Sequence, residues 1–200
     1  MNVRSEMSRP AATQSKVERT RRRILDAALE VVAQRGYDGA TVPAIAERAS
    51  VGAGTIYRHF RDKEHLVNVL FRETKRRLWS EILGSLNPEG SSHDLFGGVW
   101  KRLAAFAKRE PLAFQFVEMH YHAPYLDDES RELQQRVVQP LEDWLVERSE
   151  GELPAPPDVI VALFWGAFVG LMKSERLGQT RLDDELVTRA GEVLWAGMKL

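Results

Sequence analysis

Apolar residues recur three or four positions apart along nearly the whole chain, and no stretch alternates apolar with polar residues as a half-buried strand would. The pattern predicts an all-α fold of about nine helices. The first covers residues 16–35, with Ile24, Ala28, Val31 and Val32 on one stripe and Arg19, Arg21, Arg22 and Arg23 near its start. Gly36 is placed to end it, because glycine tolerates a left-handed backbone. Thr41 is a suitable N-cap for a second helix of about two turns, Pro43 is acceptable in its first turn, and Ile45, Ala46 and Ala49 supply a small apolar face. Ser50-Val51-Gly52 reads as a tight turn, followed by a third short helix over residues 53–60 with Ile56 and Phe60 facing inward. Asp62 is placed to cap a fourth helix reaching Leu83, whose positions Leu66, Leu70, Phe71, Leu78 and Ile82 keep helical spacing.

Past the fourth helix, "GSLNPEGSS" reads as a linker. This organisation gives a flexible arm over residues 1–15, a compact helical module over 16–63, a connecting helix over 64–83 and a larger domain over 84–200. Helices are predicted there over 94–109, 111–122, 129–150, 157–177 and 183–198, with Pro140 kinking or splitting the third of them. The 14-residue apolar run from Val159 to Met172 is too short to span a bilayer and predicts a helix buried on nearly all sides, so no membrane partner is expected.

Charge changes the picture. The net charge of −1 conceals 16 Lys+Arg against 9 Asp+Glu up to Arg77, and 12 against 20 beyond it. A basic first third on an acidic remainder is the asymmetry of a module that meets a polyanion, carried on one that does not. The absence of cysteine removes disulfides and thiolate metal sites and fits a reducing cytoplasm, and the polar first 15 residues lack the apolar core of a secretory signal. No assembled catalytic motif is present: there is no G-x-S-x-G, no H-E-x-x-H and no cysteine nucleophile, so no enzyme activity is expected.

Two short helices joined by a tight turn, in the basic part of the chain, make a helix-turn-helix. The segment "TVPAIAERASVGAGTIYRHFRDKEHL" resembles the DNA-binding signature of the TetR family of bacterial transcriptional repressors. The likeness lies in the threonine opening the second helix, the Ile45-Ala46 pair, the Gly-Thr-x-Tyr-x-His-Phe run and Lys63-Glu64. Gly52 departs from it, standing where the family often has serine before the third helix; glycine there costs only about a few tenths of a kcal/mol.

The resemblance implies an N-terminal three-helix DNA-binding domain and a C-terminal domain for ligand binding and dimerisation. It carries phosphate contacts to Thr41, Tyr57, His59 and Lys63. Small Ala53 and Gly54 would let the third helix approach DNA closely, while Thr55 and Arg58 are candidates for base edges. Two alternatives stay open: His59 packing against the fourth helix, and Arg58 contacting phosphate only. Arg4, Arg9 and Lys16 lie in or beside the arm, within reach of phosphates or a minor groove. The implied partners are a double-stranded operator, a second copy of the chain and a small-molecule effector, with no cofactor; a regulator acting constitutively or through a protein partner is the alternative.

For the effector, the aromatic-rich stretches offer Trp100, Phe106, Phe114, Glu118, Met119, Tyr121, His122, Trp144, Trp165 and Phe168 as lining. Phe116 and Tyr125 belong to the same stretches. Glu118 and His122, four apart, would share a helical face, a spacing that metal sites use, but without a third ligand nearby no metal is expected. His120 and His122, two apart, would diverge on a helix. Ala162, Gly166, Gly170 and Ser174 form a small-residue stripe, which with Leu186, Ala190, Val193, Leu194 and Gly197 predicts a four-helix interface between two subunits. Close packing within one subunit is the alternative there.

Overall fold

The computed structural model describes residues 11–84, 90–120, 122, 124–148 and 153–198, and among them every regular element is helical. The chain divides between Leu70 and Phe71 into two compact units. That division falls inside the helix treated above as a connector.

In the first unit, α1 spans Ala11–Gly39, so residues 11–15 join the helix rather than the arm. The run from Ala11 to Arg35 contains no glycine or proline to stop helix growth. At Gly36 the backbone turns to φ 70°, ψ 175°, a conformation essentially confined to glycine, and one further turn carries the chain to Gly39. Ile24, Ala28, Val31 and Val32 are buried as the spacing predicts. Helix α2, Val42–Arg48, begins at Thr41, whose hydroxyl accepts from the Ala44 N–H at 3.3 Å. It ends in a Schellman turn: Val51 N–H bonds to the Ala46 carbonyl (2.9 Å) and Ser50 N–H to that of Glu47 (3.0 Å), with Ser50 at φ 52°. Arg23 of α1 donates to the last carbonyls, Ala49 at 2.6 Å and Ser50 at 3.3 Å, which anchors the turn. Helix α3, Ala53–His59, follows from Gly52 and is held by Ile56 and Phe60, both buried. Asp62 caps α4, Lys63–Leu83, by accepting from the His65 N–H at 2.7 Å; that bond, with Arg61 beside it, holds the carboxyl below its ordinary range.

The second unit contains the later turns of α4 and then α5, Ser92–Arg109; α6, Pro111–Phe114, continued by a π-helical turn over Gln115–Met119; α7, Asp128–Arg148; α8, Pro157–Arg176; and α9, Asp184–Met198. The linker positions 85–89 lie outside the described residues. Helix α7 runs unbroken through Pro140. Pro140 is exposed, so water can take the carbonyl its missing N–H leaves free.

The core centres on Trp100. Its indole N–H donates to the Val187 carbonyl at 2.7 Å, Phe96 stacks on it, and Phe164 and Phe168 meet it edge-on. Helix α9 passes this ring at Gly191, where an added Cβ would lie 2.9 Å from Trp100 Cδ1. Gly191→Ala should therefore destabilise the second unit by about 1–3 kcal/mol, as overpacking does, outweighing alanine's better helix propensity. A urea titration followed by tryptophan fluorescence reads it, and a gain in stability would refute this account.

Helix α8 departs from expectation. By length and composition alone its 20 residues could cross a membrane, and only 22% of its most apolar window is buried in the chain. Ile160, Phe164, Phe168 and Met172 form its packed face, but Ala162, Leu163, Gly166 and Gly170 are exposed. It is thus buried on one side, not nearly all, because its neighbours among the described residues cover a single face.

Candidate nucleic-acid interface and internal cavity

Helix α3 is amphipathic in an unusual sense: Ile56 and the following Phe60 are fixed in the core, and most of the remaining surface faces water. Ala53 and Gly54 are exposed, and a Cβ built on Gly54 meets nothing within 4 Å. Tyr57 is 56% exposed although it is a large aromatic, and Arg58 is exposed with no side-chain partner among the described residues. Thr55 is half-buried, as is His59, whose ring lies 6.3 Å from that of Phe60. Thr41 is exposed at the start of α2 with its hydroxyl engaged in capping. Lys63 differs from the rest. Its ammonium donates to the Tyr37 carbonyl at 3.0 Å and lies 4.0 Å from the centre of the Tyr37 ring, so within this unit it ties the start of α4 to the end of α1. Arg4 and Arg9 lie outside the described residues, while Lys16 is exposed on α1.

The second unit carries a half-open pocket of about 440 Å³, bordered by exposed as well as buried residues. Lys75 and Trp79 of α4, Glu118 of the π turn, His120 and His122 beyond it, Val138 and Glu142 of α7, and Asp158, Val161 and Trp165 of α8 are among its lining. Lys75 Nζ donates to Glu118 Oε1 at 2.7 Å, with both side chains about 95% buried, and the Trp165 indole N–H donates to Glu118 Oε2. Trp79 and Trp165 stack at 5.5 Å with their planes 8° apart.

His122 is held from both sides. Its Nε2–H donates to the Phe116 carbonyl, and its Nδ1 lies 2.6 Å from the Tyr125 hydroxyl, which therefore donates to it. Burial, with further contributions from the positive ends of His120 and Lys75, pushes the imidazole down to about 4 against its ordinary 6.5. The helix expected over 111–122 stops at Met119, and His120 is extended at φ −96°, ψ 144°. Glu118 and His122 therefore meet at the cavity without sharing a helical face. His120 and His122 stack at 6.3 Å instead of diverging, because the helix that would separate them has ended and His120 is extended.

Two family models match the chain: residues 24–70 match "Bacterial regulatory proteins, tetR family", and residues 71–200 match "Tetracyclin repressor-like, C-terminal domain". The chain belongs to the TetR family. It is a DNA-binding transcriptional regulator of that family. Over 142 residues it is 32% identical to the transcriptional regulator BetI of Escherichia coli, which covers 67% of this chain and 70% of BetI. A TetR family regulator from Marinobacter aquaeolei shares the fold at a TM-score of 0.81 and 19% identity, over 92% of this chain and 97% of that one. FadR of Bacillus subtilis, solved with stearoyl-CoA, shares it at 0.71 and 20%, over 88% and 98%.

Within this TetR-family chain the predicted lining residues separate. Glu118, His122 and Trp165 border the 440 Å³ cavity, and Trp144 borders a narrower apolar one of about 50 Å³ between α5, α7, α8 and α9. Phe106, Phe114 and Phe168 lie in the packed core, fully or nearly fully buried, and do not line the larger cavity; Trp100 is likewise core. Met119 is half-buried and borders neither cavity, while Tyr121 lies outside the described residues. Sequence reasoning missed Lys75 and Trp79. Both lie on the helix treated as a connector, and a lysine among basic residues reads as surface until its partner is known.

The predicted interface residues fare differently. Ala162, Gly166, Leu186, Ala190, Val193, Leu194 and Gly197 line one broad, open apolar groove on α8 and α9, joined by Leu163 and Ala167. Leu163 is 56% exposed and Val193 74%. Gly170 is exposed nearby, and Ser174 instead pairs with Thr180 Oγ1 at 2.9 Å in its own chain.

Proposed function

We propose that the protein is a homodimeric repressor that leaves a pseudo-palindromic operator when a small hydrophobic or amphipathic molecule occupies the cavity of its second unit. The observation that carries the reading is the α3 surface, where exposed Ala53, Gly54, Tyr57 and Arg58 project from a helix anchored by buried Ile56 and Phe60. A large exposed aromatic beside an exposed guanidinium with no partner among the described residues suits a helix that meets a polyanion. Tyr57, His59 and Thr41 then contact phosphates, and Thr55 and Arg58 reach base edges. Lys63, already engaged with Tyr37, acts mainly by positioning α4.

The α8–α9 groove supports pairing with a second copy, since an apolar surface of this kind on a soluble chain marks an interface. Two α3 helices then read two half-sites. The cavity favours an effector over constitutive action. Helix α4 starts four residues after α3 ends and carries Lys75 and Trp79 at the cavity, which makes it the element through which occupancy acts on DNA affinity. The protein regulates in the cytoplasm and catalyses nothing in this reading.

The test is fluorescence anisotropy with DNA from upstream of the protein's own gene against a scrambled fragment, over a series of salt concentrations. Preference for the native fragment, weakening with salt, is the expected result. Arg58→Ala should cost about 1–3 kcal/mol on the native fragment and much less on the scrambled one. Equal losses on both would reassign Arg58 to phosphate.

A further inference from the structure

The half-open pocket of about 440 Å³ has matched polar groups on its buried side and unmatched ones on its exposed side. On the buried side, the Lys75 ammonium and Glu118 neutralise each other at 2.7 Å, and the second Glu118 oxygen accepts from the Trp165 indole. Both His122 nitrogens are taken by Phe116 and Tyr125. The remaining carboxylates on the lining are Glu142 of α7, half-buried, and Asp158 of α8, exposed; exposed Gln134 borders the pocket as well. None of these three side chains has a hydrogen-bond or ion-pair partner among the described residues. The acids at the start of α7 differ, since Asp127 and Glu129 pair with Arg72 and Asp128 pairs with Arg131.

That imbalance selects the charge of a ligand. Apart from the imidazoles of His120 and His122, Lys75 is the lone cationic side chain among the described lining residues, and Glu118 already matches it. The pocket is therefore left with two uncompensated carboxylates. An organic anion would approach them with no free counter-charge to receive it. A neutral molecule would offer them hydrogen bonds that water offers equally well. A cation is attracted to both, and the partial burial of Glu142 limits the screening that weakens fully exposed pairs. The rest of the wall asks for an apolar body: Trp165, Val117, Leu126, Val138 and Val161 line it, and 440 Å³ lies within the range of small-molecule sites.

We propose that this pocket takes an organic cation with an apolar body, its ammonium-type head set against Glu142 and Asp158 and its body against Trp165 and the aliphatic wall. The inference rests on the reading of the second unit as an effector-binding domain and deepens it by fixing the charge of the effector.

The experiment is isothermal titration calorimetry on the full chain with matched probes on two skeletons, naphthylmethyl and nonyl, each as a primary ammonium, an alcohol and a carboxylate. The ammonium on at least one skeleton should bind roughly tenfold tighter than its carboxylate and roughly threefold tighter than its alcohol. Glu142→Gln should weaken that ammonium by roughly 3- to 10-fold, and Asp158→Asn by less because it is more exposed, while the alcohol is unchanged by either. Glu147→Gln removes the same charge from an exposed position on α7 that borders no pocket described here, and should leave the ammonium unaffected. An alcohol or carboxylate that binds as tightly as its ammonium overturns the proposal, as does the absence of binding by both ammonium probes. So does a loss in Glu142→Gln no larger than that in Glu147→Gln, which would mean that the acidic surface at large attracts the cation. Should Glu142→Gln fail to fold, Asp158→Asn and the charge series on the wild-type chain decide. Ammonium binding with the expected preference but no effect on operator affinity would sink ligand-controlled release and leave this ligand class standing. Operator release by the alcohol or carboxylate, bound more tightly than the ammonium, would do the reverse.

Discussion

Lys75→Met should lower the stability of the second unit by about 3–5 kcal/mol, the cost of stranding a buried carboxylate without its partner. Lys75 and Glu118 have side-chain exposures of 6% and 5%, and their 2.7 Å contact is the main compensation for removing both charges from water. Trp165 gives Glu118 one further hydrogen bond, which is too little to replace an ammonium. The double variant Lys75→Met/Glu118→Leu should recover most of the loss, because an apolar pair of similar volume removes both desolvation penalties together. All five tryptophans, at positions 79, 100, 144, 165 and 195, lie in the second unit, so urea unfolding followed by tryptophan fluorescence reports this unit alone. A single variant within about 1 kcal/mol of wild type would show that the pair is hydrated and that the cavity is more polar than described.

The second unit should also lose about 2–3 kcal/mol between pH 7 and pH 4.5 through His122 alone. The folded imidazole titrates at about 4 and the ordinary one at 6.5, so between these values the unfolded chain binds the proton that the folded chain refuses. Stability from this group is therefore complete above pH 6.5 and is lost as pH falls towards 4. The structural cause is burial against Phe71 and Phe116, with Nε2–H already given to a carbonyl and Nδ1 receiving the Tyr125 hydroxyl, an arrangement that suits one neutral tautomer. His122→Gln should be less stable at pH 7 and should flatten the decline between pH 6.5 and 4.5. Identical pH slopes for the two proteins would assign the decline to carboxylates elsewhere.

These two predictions depend on residues the sequence marks unequally. His122 stands out in an aromatic stretch, but the helix expected to carry it stops at Met119: the π turn and the extended backbone at His120 precede its meeting with Glu118, and neither follows from a helical spacing rule. Lys75 could not be singled out, because its character comes from Glu118 of the π turn and Trp165 of α8 meeting it rather than from its own neighbours in sequence.

What the sequence determined by itself was local. The 3.6-residue periodicity set the helices, and cap chemistry at Thr41 and Asp62 set two of their starts. The glycine at position 36 set the break after α1. The short helices at Ile45 and Ile56 declared the DNA-facing module because its turn, its anchors and its exposed residues lie within about one stretch of 26 positions, quoted above. The tertiary structure decided which aromatics fill space and which border it, since Phe106 and Trp165 follow the same periodicity and differ only in what packs opposite them. It also decided that α8 is apolar on a face the described residues leave uncovered, because hydrophobicity records that a surface seeks a partner and not whether that partner belongs to the same chain.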